Sequence, residues 1–159
     1  MASAGMAPAP ASERAQHVNE RLAVSRMVAA GRVRASGKWF YWIAGLSLVN
    51  SLASIFSANL RFVVGLGIAS VVDALAKRAG SLGSLLAIFI NGCVAGIFVL
   101  FGAFAVKAQK WAFLVGMALY LFDGLLLLSV KDYLGVAFHA YVLFAIYRGF
   151  TATRLLPQA

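Results

Sequence analysis

Acidic residues are scarce: the 159-residue chain has five Asp and Glu against fourteen Lys and Arg. Only 12% of residues are charged and 62% are hydrophobic, where a soluble domain is about a quarter charged and about half apolar. Five carboxylates cannot keep such a surface in water, so the composition predicts that lipid covers it. Cysteine is nearly absent too. A lone Cys93 excludes an intrachain disulfide and any metal centre built on thiolates, and its apolar setting reads as packing. Two histidines, His17 and His139, are too few for a histidine metal site, so no metal is expected. The sequence has no G-x-S-x-G elbow, no H-E-x-x-H and no paired-carboxylate motif, so no catalytic residue is assigned. The basic residues are not interleaved with exposed aromatics, which argues against nucleic acid as a partner.

What the chain does have is long apolar runs. Residues 38–57, 82–106, 111–130 and 134–156 each have the length of a membrane span, about 20 residues. Trp39, Tyr41 and Trp42 open the first, where aromatic rings favour the headgroup level. The link Lys107–Lys110 is short enough to force an antiparallel hairpin. Residues 60–78 are ambiguous, being short and containing Gly65, Gly67, Arg61, Asp73, Lys77 and Arg78. Two considerations favour four spans over five. Four spans place more Lys and Arg on the side of the N-terminus. They also put the polar side chains within the apolar runs at one depth, where they can meet. The expected fold is all-α: four transmembrane helices plus an interfacial amphipathic or re-entrant helix over 60–78, with both termini cytoplasmic.

Residues 1–37 differ from the rest. The beginning is Ala/Pro-rich and reads as disordered. A basic cytoplasmic segment follows, part of it helical, in which Val18, Leu22 and Val28 recur among arginines. Arg32, Arg34 and Lys38 are the candidate contacts to anionic lipid. The first apolar run reads as a retained anchor.

The candidate site is polar and intramembrane: Asn50, Asn91, Asp123 and His139. An ionisable side chain in a span is costly unless it is paired or faces a cavity. Asp123 and His139 on adjacent helices suggest an Asp–His pair, and the asparagines suggest interhelical hydrogen bonds. Gly92 and Gly96 form a GxxxG pair suited to close helix packing. Asp73 and Lys77 are spaced for a helical ion pair.

The stretches WFYWIAGLSLVNS (residues 39–51), FVVGLGI (62–68), WAFLVGMALYLFDGLLLL (111–128) and FHAYVLFAIYRG (138–149) resemble those of small bacterial multi-pass membrane proteins that carry no assigned activity. The resemblance implies a bacterial inner-membrane setting and transfers no functional residue. The leading expectation is an accessory or structural subunit of an inner-membrane complex, in contact with lipids and with other subunits or further copies of itself. A small proton- or ion-coupled transporter using Asp123 and His139 is the alternative. A third reading is a haem- or chlorophyll-binding subunit with His139 as ligand; no cofactor is otherwise expected.

Overall fold

A computed structural model describes residues 10–56, 66–78 and 80–157. Every regular element among them is helical: α1 (Ala11–Phe56), α2 (Gly67–Arg78), α3 (Gly80–Ala105), α4 (Lys110–Ser129) and α5 (Tyr133–Ala152), closed by a tight turn at Thr153–Leu155. Among the described residues three segments are long and apolar enough to cross a membrane: Leu85–Ala105, Lys110–Ser129 and Tyr133–Leu155. The start of the Ala/Pro-rich tail and the first part of 60–78 lie outside the described residues, as do the side chains of Asp73 and Lys77.

The first helix does not respect the compositional boundary at residue 37. It runs unbroken for 46 residues, taking in both the basic segment and the first apolar run. That is about 69 Å at 1.5 Å per residue. Pro10 stands just before it, and its carbonyl accepts the Arg14 N–H at 3.2 Å. A proline at that place sacrifices no helical hydrogen bond.

Helices α1, α3, α4 and α5 form a four-membered ring, with α1 packed on α3 and α5, and α4 packed on α5 and α3. The chain passes alternately through the bundle, so α1 and α4 point one way and α3 and α5 the other. The core is aromatic. Phe40 stands 6.1 Å from Phe101 and 6.2 Å from Phe113, and Phe113 stands 6.5 Å from Phe150. These rings come from all four helices and mark one height in the bundle. Two glycines admit the close approaches around them: a Cβ on Gly116 would strike the Phe40 ring, and one on Gly149 would strike Ser36. Ser36 in turn donates to the Ala145 carbonyl at 2.7 Å.

Both hairpins are built alike. At the end of α3, Gln109 N–H donates to Phe104 O and Ala108 N–H to Ala105 O. At the end of α4, Asp132 N–H donates to Leu127 O and Lys131 N–H to Leu128 O. This pattern consumes the orphan carbonyls of a helix end and needs one left-handed residue, usually glycine. Ala108 (φ 64°) and Lys131 (φ 61°) fill that role. The next residue, Gln109 or Asp132, already stands at the N-cap position of the following helix, and of the two only Asp132 caps through its side chain, its carboxylate accepting the Gly135 N–H at 3.0 Å. Overlap of the two cap positions is what makes these links so short.

Candidate functional site

Counted from the aromatic layer, Asn50, Asn91 and Asp123 each lie ten residues along their helix from Phe40, Phe101 and Phe113 respectively, and His139 lies eleven from Phe150. At 1.5 Å per residue all four sit about 15–17 Å further up the bundle. All four are buried.

The structure brings Asp123 and His139 together: Oδ2 lies 2.9 Å from Nε2, with side chains only 5% and 3% exposed. His139 reaches α4 because Gly124 leaves space, and a Cβ there would stand 3.3 Å from the His139 Cβ. Tyr120, one turn before Asp123, stacks on the imidazole with centroids 4.1 Å apart and planes 14° from parallel. Behind it, Phe98 meets Tyr120 edge-on.

Asp123 has a second task. Its Oδ2 accepts the Gly67 N–H at 2.7 Å and its Oδ1 accepts the Ile68 N–H at 2.8 Å. These are first-turn amides of α2, which have no acceptor within their own helix. The positive end of a helix also suits a carboxylate. The carboxylate therefore ties α2 to α4, and Gly67 lets the backbones touch: a Cβ there would lie 2.9 Å from Leu127 Cγ and 3.1 Å from Asp123 O.

Hydrogen-bond bookkeeping fixes the proton count. His139 Nδ1 lies 2.9 Å from the Gly135 carbonyl, which only accepts, so Nδ1 carries its hydrogen. The Nε2–Oδ2 contact then needs one proton of its own. The pair is neutral overall whichever partner holds that proton, which is how two ionisable groups can be buried together.

Asn91 bonds elsewhere: its amide donates to Ser51 Oγ at 2.8 Å, joining α3 to α1. Asn50 is buried next to Ser51 in the chain. Ser47, one turn from Ser51, is fully buried, and its hydroxyl has no partner among the described residues.

The remaining candidates lie apart from this layer. Gly92 and Gly96 are exposed, and a Cβ on either would meet nothing within 4 Å. α3 turns Ala95, Phe98, Phe101 and Ala105 inward instead. Arg32, Arg34 and Lys38 are exposed near the opposite end of the bundle from α2, and Cys93 is exposed on α3. His17 lies on the outer part of α1, 3.6 Å from Glu20. Among the described residues no three His, Cys, Asp or Glu gather as metal ligands. Haem ligation by His139 would require breaking one of its two bonds. Sequence reasoning did not identify Ser51, Tyr120 or the Gly67 and Ile68 amides. Tyr120 shares a helical face with Asp123 and was the one with a signal.

Searches against family models, curated proteins and solved structures find no match to this chain.

Proposed function

We propose that the chain is an accessory or structural subunit of a bacterial inner-membrane complex, crossing the bilayer four times with both termini in the cytoplasm. The observation that carries this reading is the use made of Asp123. The buried carboxylate accepts from two α2 amides and faces one imidazole. A group so engaged fastens one part of the fold to another. In this reading the apolar part of α1 is the fourth span, since it packs beside α3 and α5 over the same height. α2 is then re-entrant: its first turn lies at the level of Asp123, six residues from the end of α4 at Ser129, or about 9 Å deep. Purification from native membranes in lipid-preserving conditions, followed by native mass spectrometry, tests the reading. A stoichiometric membrane partner or a defined homo-oligomer is expected; a protein that is always a lone monomer overturns it.

The proton on the Asp123–His139 bond supports a second reading, a small proton-coupled transporter. Purified protein in liposomes would then carry proton flux that Asp123→Asn abolishes. Absence of flux from the unmutated protein across ion and solute panels removes this alternative.

A further inference from the structure

The outer part of α1 is a helix with a vacant face. Ala29, Val33 and Ser36 are buried where α1 packs on α5 and the Thr153–Leu155 turn. Successive helical residues turn by about 100°. On that wheel Val18, Leu22, Ser25, Ala29, Val33 and Ser36 fall within one stripe about 80° wide. The buried stripe thus continues for two more turns past the end of α5, and there nothing among the described residues covers it: Val18 is 55% exposed and Leu22 49%. An open groove lined by Ser25, Val28, Ala29, Thr151 and Leu155 marks where the cover stops.

Charge is distributed unevenly around this stripe. Arg14 and Arg21 fall on one edge and Arg26 on the other, all exposed. The only acidic residues of the segment, Glu13 and Glu20, fall on the opposite side, where Glu20 faces His17. The helix is unbroken from Ala11 to Phe56, and Leu22 lies fourteen residues before Ser36, about 21 Å along the axis. The segment therefore stands away from the bundle end and does not fold back along it, which disfavours a membrane surface as its cover. A second copy would set arginine edge against arginine edge.

We infer that the stripe through Val18 and Leu22 docks an acidic amphipathic helix of a partner protein, its apolar side continuing the packing of α5 and its carboxylates meeting Arg14, Arg21 and Arg26. Apolar contact supplies the binding and the charged edges supply selection and orientation. The inference rests on the subunit reading above and names the surface through which that role is exercised.

The test uses the full chain in its native membranes, with a photoreactive benzophenone amino acid replacing Leu22 or, separately, the exposed bundle residue Phe122. The Leu22 probe is expected to crosslink to another protein, within a peptide rich in Asp and Glu whose apolar residues recur at helical spacing. Combined Arg14→Glu, Arg21→Glu and Arg26→Glu is expected to cut that yield by about tenfold or more, three charge reversals each worth a fraction of a kcal/mol or more. Crosslinking to phospholipid, to a second copy or to a peptide without acidic residues overturns the inference, as does a yield indifferent to the reversals. If Leu22 is silent while Phe122 captures a membrane protein, the docking surface is wrong and the subunit reading stands. If both are silent, both fail.

Discussion

Asp123 and His139 share their bond so completely that neither can be removed cleanly. Asp123→Ala leaves two α2 amides without acceptors and His139 without a counterpart. Losing one member of a buried pair costs about 3–5 kcal/mol. We expect a drop of that order in unfolding free energy in mild detergent, with faster hydrogen exchange at Gly67 and Ile68. Asp123→Asn keeps the shape and one acceptor and should fall between Ala and the unmutated chain; equal protection of the two amides in all three proteins would refute the anchor. Ser47→Ala is expected to go the other way. Its hydroxyl is buried without a partner among the described residues, and removing an unsatisfied group recovers about 1 kcal/mol. Thermal unfolding of the single variant decides the sign. An Asp–His pair was legible at this scale because a carboxylate and an imidazole on adjacent apolar helices have few other partners. The α2 amides were not legible, since main-chain donors carry no sequence signature and their place depends on how the chain returns after α1.

At the scale of helices and links, apolar length located α3, α4 and α5 nearly to their ends, because hydrocarbon demands uninterrupted runs. The first helix was harder. Composition changes sharply near Gly37, yet backbone hydrogen bonding does not, since no proline stands between Ser12 and Lys38 and the helix tolerates Gly31 and Gly37. The GxxxG motif is a separate case: Gly92 and Gly96 have the spacing but face outward, and close approach among the described residues occurs at Gly116 and Gly149, which have no such motif. The two hairpins yield a prediction specific to this scale. Ala108 and Lys131 hold left-handed backbone that glycine adopts without steric cost. Ala108→Gly and Lys131→Gly should each stabilise the protein by roughly 0.5–1 kcal/mol, after the greater entropy of glycine in the unfolded chain is deducted. Because the sites lie at opposite ends of the bundle, the gains should add. Equilibrium unfolding of both single variants and the double variant measures this directly.

Taken whole, the molecule is electrically lopsided along its axis. Lys38, Lys107, Lys110, Arg148 and Arg154 belong to the end that carries the outer part of α1 with its arginines. The opposite end has Lys131 and the last turn of α2, which contains Lys77 and Arg78. Positive charge near span ends resists translocation, which favours the proposed orientation with the richer end in the cytoplasm. The bundle geometry turns that bias into a pairwise test, because the α3–α4 and α4–α5 links sit at opposite ends of one helix, α4, about 30 Å long. In a Cys93→Ala background, Lys107→Cys and Lys131→Cys place a single thiol at either end. A membrane-impermeant maleimide applied to intact spheroplasts should label the thiol at position 131 at once, and that at 107 only after the membrane is opened. The reverse pattern would invert the topology. Equal labelling of both in sealed cells would mean that α4 does not cross the bilayer, and the four-span arrangement would fall with it.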